Sequence, residues 1–190
     1  TEDTVSQAVA RYLTRIHKYM EDEDWINAKR ELEVTARRYF KNEDSYERAL
    51  INQLYGQFYA LQRDYKNAIP WFEKAIARGR LPFAADLQVS YSLAQCYFQT
   101  GRYKDVIATL ENYRDKASKR GQNMAPIQLM LLGIAYYQEQ DTLNAYLNIA
   151  EANATATKLN EEWLQYEFAL AVKLENCLLY TSDAADDDTR

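Results

Sequence analysis

The sequence predicts an all-α chain, a right-handed α-solenoid of antiparallel helix pairs, with about four pairs and one extra helix. Three observations lead there. Five glycines and three prolines in 190 residues are too few for a turn-rich β protein. Apolar residues recur at helical spacing along most of the chain. One compact pattern also returns at near-equal intervals: a small residue and an aromatic on one helix, then Ala-x-x-x-apolar on the next. A helix pair this short cannot bury its apolar face alone, so it has to stack on copies of itself.

The clearest copy is residues 49–82. Its first helix carries Tyr55-Gly56-x-x-Tyr59, its second Ala68-x-x-x-Phe72-x-x-Ala75, and Pro82 closes it. Gly56 and Ala68 have almost no side chain, which lets the helices approach closely, and Tyr59 and Phe72 fill the space beside that approach. Pro70 lies inside the second helix. It removes the hydrogen bond to the Lys66 carbonyl, so a slight kink or a loose first turn is expected.

The other copies follow in chain order. Residues 5–20 have helical periodicity, Glu21–Asp24 forms a turn with Asp24 as a helix cap, and Ala28-x-x-x-Leu32 opens the second helix of a degenerate first pair, roughly 9–42. The third pair, 86–120, has Leu93-Ala94-x-x-Tyr97, a turn at Thr100-Gly101-Arg102, and Val106-x-x-x-Leu110. The fourth, 126–159, opens at Pro126, a favoured first-turn position. It carries Leu129-x-x-Leu132-Gly133-x-x-Tyr136, a turn at Asp141, and Ala145-x-x-x-Ile149. A fifth first helix spans 160–177 with Trp163 at the Leu129 position, 34 residues on. The remaining intervals, Ala28 to Ala68, Ala68 to Val106 and Val106 to Ala145, are 40, 38 and 39 residues. Residues 178–190 break the pattern and end in an aspartate run. They are read as a non-native or disordered tail, and the incomplete fifth pair implies a native chain that continues.

Charge and chemistry narrow the function. The net charge is −5, of which the last ten residues supply −3, so no nucleic-acid partner is expected. No apolar run reaches the ~18 residues needed to span a membrane. No signal peptide is visible, and the chain begins at Thr1, so compartment stays open. Cys96 reads as a small buried thiol, and two cysteines make no disulfide framework. His17, the only histidine, has no cluster of ligands at metal spacing. No phosphate-binding loop and no nucleophile motif occur. We therefore expect no catalytic residue, no metal and no cofactor.

Stacked pairs offer instead a concave surface built from the first helices. Gly56 and Tyr59 face the partner helix, so Gln53, Gln57 and Ala60 turn to the groove. The equivalents are Leu13, His17 and Met20; Tyr91, Gln95 and Phe98; Met130, Ile134 and Tyr137; and Leu164, Phe168 and Ala171. Of these, Gln53, Gln57, Tyr91, Gln95, Phe98, Met130, Ile134, Tyr137 and Phe168 are the candidate partner-binding residues. The surface would be aromatic, amide-rich and nearly uncharged, which suits an extended peptide or an amphipathic helix. Packing between neighbouring pairs would account for the same residues.

The pattern resembles the tetratricopeptide repeat, whose template reads W-x-x-L-G-x-x-Y, then A-x-x-x-F, then P. Asn52 stands for the Trp and Tyr55 for the Leu, while Gly56, Tyr59, Ala68 and Phe72 match. The resemblance covers nearly all of residues 5–177 and implies a non-enzymatic protein-binding scaffold. Members that clamp chaperone tails hold a terminal carboxylate with Lys, Asn and Arg. Here Leu13, His17, Gln53, Gln57, Tyr91 and Gln95 stand at those places, so no such clamp is expected. A narrower resemblance rests on Leu87, Tyr91, Leu93, Ala94, Gln95 and Tyr97, with Asp64-Tyr65 and Ala68–Phe72. These are similar to bacterial repeat proteins encoded beside TonB, ExbB and ExbD, which implies a periplasmic adaptor in TonB-dependent energy transduction. Two other roles fit a bare repeat array: a module of a larger enzyme or sensor, and a self-assembling stack that pairs through its last helix.

Overall fold

The computed structural model describes the backbone of residues 7–39, 42 and 44–187. The expected helix start at residue 5, the side chain of Cys177 and residues 188–190 lie outside what is described. Among the described residues there are nine helices and no strand: α1 (Gln7–Glu21), α2 (Trp25–Tyr39), α3 (Tyr46–Leu61), α4 (Tyr65–Ile76), α5 (Phe83–Gln99), α6 (Tyr103–Ser118), α7 (Pro126–Gln138), α8 (Thr142–Thr155) and α9 (Glu161–Asp187). They form two compact units, α1 to α5 ending at Gly101 and α6 to α9 beginning at Arg102. The division falls in the Thr100-Gly101-Arg102 turn of the third expected pair.

In the first unit α3 packs along α4, and the reason is the absence of a side chain. A Cβ built on Gly56 would lie 2.5 Å from the Phe72 ring. Ala68 and Phe72 are buried on the facing helix. The second unit repeats the arrangement between α7 and α8. A Cβ on Gly133 would lie 2.6 Å from Ile149 and 3.2 Å from the Ala145 carbonyl oxygen. Ala28 and Leu32 on α2 and Val106 and Leu110 on α6 are also buried. At Gly56 and Gly133 the expected small residues therefore lie at helix–helix approaches.

Turns inside the pairs share one design. The chain leaves the first helix through a residue in the left-handed region: Glu23 (φ 56°), Arg63 (φ 61°) and Gln140 (φ 64°), with Gly101 (φ 72°) in the third turn. The next amide closes back on the helix, from Asp24 to the Tyr19 carbonyl at 2.8 Å, Asp64 to Tyr59 at 3.0 Å and Asp141 to Tyr136 at 3.0 Å. Each aspartate then caps the second helix. Its Oδ1 accepts the backbone N–H of Asn27, Asn67 or Asn144 at 3.2, 3.3 and 3.1 Å, and its Oδ2 accepts the side-chain amide of the same asparagine at 2.6, 2.8 and 2.7 Å. At the third turn Arg102 takes the cap position without a side-chain cap, and its Nε donates to Asp105 Oδ2 at 2.7 Å.

Successive pairs are tied by a tyrosine on the next first helix. Tyr97 Oη donates to Glu73 Oε1 at 2.6 Å in the first unit, and Tyr136 Oη to Glu111 Oε1 at 3.0 Å in the second. Pro70 does not break α4, which runs through it with Pro70 on the exposed side. Only the Lys66 carbonyl, one residue into the exposed first turn, loses its intrahelical partner, and water can replace it there. The backbone of residues 178–187 continues α9 as helix, beyond the point where the repeat pattern ends in the sequence.

Candidate partner-binding grooves

In the first unit, three residues expected at equivalent groove positions meet at one cavity. His17 of α1, Gln57 of α3 and Gln95 of α5 line it together with Ala60, Ser92 and Gln99, over a floor that includes Phe72 and Cys96; its volume is about 480 Å³. All its lining side chains are uncharged when His17 is neutral. His17, Gln57, Ser92, Gln95 and Gln99 make no side-chain hydrogen bond with the rest of the described chain. An amide presents donors and an acceptor at once, which is what the main chain of a peptide requires. Burial pushes the Cys96 thiol up to about 11, so it stays protonated and acts as an apolar wall.

A second cavity of about 300 Å³ shares His17, Gln57 and Leu61 with the first and adds Met20, Trp25, Glu21 and Glu23. The two carboxylates correct the expectation of a groove almost free of charge: one end of it is acidic. The signal lies in the Glu21–Asp24 stretch, whose charge the turn reading leaves unused.

The remaining candidates of the first unit sit differently. Gln53 is half-buried, and its Oε1 is buried without a hydrogen-bond partner. Tyr91 and Phe98 are half-buried, and neither lines either cavity.

In the second unit, Ile134 and Tyr137 of α7 line a cavity of about 380 Å³ with Ile149 of α8 and Tyr166, Leu170 and Lys173 of α9. Met130 is only 3% exposed, so its side chain packs in the core of the unit and offers no surface to a partner. Phe168 is 72% exposed and does not line this cavity; Tyr166 takes that place. The reason is how α9 is seated on α8. Asn153 Nδ2 of α8 donates to the Trp163 carbonyl at 3.2 Å and to Glu167 Oε2 at 2.7 Å. With Trp163 and Glu167 held there, helical geometry turns Tyr166, Ala169 and Lys173 toward α7 and Phe168 away.

A polar network links α6 to α7 and α8. Arg114 donates to Asn148 Oδ1 and pairs with Glu111 at 3.4 Å and Glu151 at 3.8 Å, and Glu111 in turn accepts from Tyr136. Burial, and then the bond to Glu111, push the Tyr136 phenol up to about 12. The network carries no nucleophile–base pair, and it reads as a structural tie. Among the described residues no group of three or more His, Cys, Asp or Glu side chains could hold a metal, and no helix is long and apolar enough to cross a membrane.

Known proteins fit this geometry at the level of fold. Residues 61–124, about a third of the chain, match the family described as anaphase-promoting complex, cyclosome, subunit 3. No curated protein sequence matches the chain significantly. MamA (41-end) from Desulfovibrio magneticus RS-1 superposes with a TM-score of 0.70 at 16% identity, over 96% of this chain and 94% of that one. A crystal structure of a putative kinesin light chain with nearly identical TPR-like repeats from Podosopora anserina gives 0.61 at 15% identity, over 88% and 96%. A chain in the structure of Naa15/Naa10 bound to HypK-THB gives 0.52 at 15% identity, over 89% of this chain and 29% of that one. The fold is accordingly that of a tetratricopeptide-like α-solenoid, built of helix pairs and one further helix.

Proposed function

We propose that the protein is a non-enzymatic interaction scaffold whose first unit binds an extended polypeptide segment along the α1, α3 and α5 face. One observation carries this reading: His17, Gln57 and Gln95 stand at matching places on three successive first helices and line one cavity, with no side-chain partner of their own. Amides so placed pair with a peptide main chain and exact little of its sequence, while Glu21 and Glu23 favour a basic residue at one end. The fold supports the reading too, since part of a chain in the structure of Naa15/Naa10 bound to HypK-THB superposes on it.

A finer assignment, adaptor in TonB-dependent envelope energy transduction in the periplasm, is supported by the likeness of residues 75–97. Leu87, Leu93, Ala94 and Tyr97 of that stretch are buried packing residues, whereas Gln95 faces the cavity. The likeness thus draws on packing as well as on the groove.

Selection of a phage-displayed peptide library on the full chain tests the groove. Enriched peptides should lose on the order of tenfold in affinity when Gln57→Ala and Gln95→Ala are combined, at about one hydrogen bond's net contribution each. Unchanged affinity in the double variant would overturn the groove. The envelope assignment needs a separate experiment, fractionation of the source cells with an antibody to this chain. Recovery with TonB, ExbB or ExbD supports it, and a cytoplasmic pool that never meets them removes it.

A further inference from the structure

The 380 Å³ cavity of the second unit differs in chemistry from the groove of the first. Its floor is Ile149, Leu170 and the half-buried Ile134. Its rim is Tyr137 and Tyr166, each 48% exposed, and Lys173. The Lys173 ammonium stands 5.2 Å from the centroid of the Tyr137 ring. That is its one interaction with the described chain: among the described residues it has no carboxylate partner, and none of those that line the cavity is a carboxylate. The phenol hydroxyls of Tyr137 and Tyr166 are likewise without hydrogen-bond partners among the described residues.

We infer that this cavity is a second recognition site, which takes an apolar side chain from an acidic amphipathic helix of a partner protein and pairs a carboxylate of that helix with Lys173. Three features fix the occupant. The apolar floor calls for an apolar anchor. The rim supplies the Lys173 ammonium, two phenol hydroxyls and the Gln138 amide, with no carboxylate among the described lining residues, so the ammonium is the one charge to be met there and a carboxylate meets it best. The volume is near the lower end of the ~300–1,000 Å³ of ligand sites, and the cavity opens between α7 and α9 at the surface. It receives side chains delivered from outside, as a helix lying in a groove delivers them. This site does not depend on the first unit binding anything.

The test uses the full chain and three fluorescein-labelled helical peptides that share one leucine stripe and carry Glu, Gln or Lys one turn from it. Anisotropy at low salt should rank them Glu, Gln, Lys. Glu and Lys should differ on the order of fivefold, the scale of a single exposed ion pair, and the gap should shrink as salt rises. Lys173→Glu, at an exposed position that the fold does not need, should invert the ranking. Ala169→Trp, which fills the cavity from its exposed edge, should weaken all three. The combined Gln57→Ala/Gln95→Ala variant should leave all three unchanged, which separates this site from the first-unit groove. Equal binding of the three peptides, no binding of any, a ranking indifferent to Lys173→Glu, or affinities indifferent to Ala169→Trp would each overturn the assignment.

Discussion

Gly133 of α7 lies against Ile149 of α8 so closely that a single methyl group would come within 2.6 Å of the isoleucine side chain. The Ala145 carbonyl, at 3.2 Å from the same point, blocks the other way out. Gly133→Ala gains up to about 1 kcal/mol in helix propensity but must push buried neighbours apart. Overpacking of this kind costs about 1–3 kcal/mol. A net fall in the urea midpoint is expected, and the fall should be smaller when Gly133→Ala is made in an Ile149→Ala background, which lacks the clashing Cγ1. A Gly133→Ala variant as stable as the parent would show that α7 and α8 are not locked at this point.

Gly56→Ala meets a harder obstacle, because the atom in its way belongs to the buried ring of Phe72. Thermal melting should show a loss at least as large as that of Gly133→Ala. Phe72→Leu should relieve part of it, and failure of that rescue would locate the strain elsewhere.

Asn52 occupies the place of the template tryptophan and is buried, with Oδ1 lacking a hydrogen-bond partner. Asn52→Leu removes an unpaired polar group and adds apolar burial. The expected gain is on the order of 1–2 kcal/mol, read from equilibrium unfolding. Destabilisation would mean that the amide is satisfied in solution.

The turn residues Arg63 and Gln140 hold φ values of 61° and 64°, where a side chain is costly. Arg63→Gly and Gln140→Gly should each stabilise by about 0.5–1 kcal/mol. Gly101→Ala, at φ 72°, should do the reverse. Melting temperatures of the three single variants settle the signs.

Tyr136 sets an alkaline limit. Its folded pKa of about 12 lies above its ordinary value of 10.0, so the neutral form is the one the fold favours. Its contribution is complete below pH 10, shrinks as the unfolded phenol ionises, and is gone above about 12. Tyr55, pushed up to about 12 chiefly by burial against Trp71, acts in the same sense. Urea unfolding at pH 9 and pH 11 should show a smaller difference in Tyr136→Phe than in the parent. An identical difference would remove Tyr136 from the account.

Most of the packing is legible in the sequence because it depends on size alone. Gly56, Gly133, Ala68 and Ala145 have to lie at close approaches, and they do. The Asp-x-x-Asn caps at 24, 64 and 141 recur in the structure. Only Asp24 is expected as a cap, since the repeat template carries no capping position. The groove is legible in part. His17, Gln57 and Gln95 converge as their positions imply, but Met130 is drawn into the core. At α9 the pattern misleads, because Asn153 and Glu167 decide which way that helix faces, and a cross-helix hydrogen bond leaves no periodic trace.

The left-handed turn and its aspartate cap are completed within five consecutive residues, at Glu23–Asn27, Arg63–Asn67 and Gln140–Asn144. A hairpin that carries its own corner needs no distant segment to begin closing, so the entropic toll of long loops is small. Each corner can therefore serve as a seed, and acquisition of structure can start at any of three sites along the polypeptide and spread to its neighbours, instead of waiting on one obligatory nucleus.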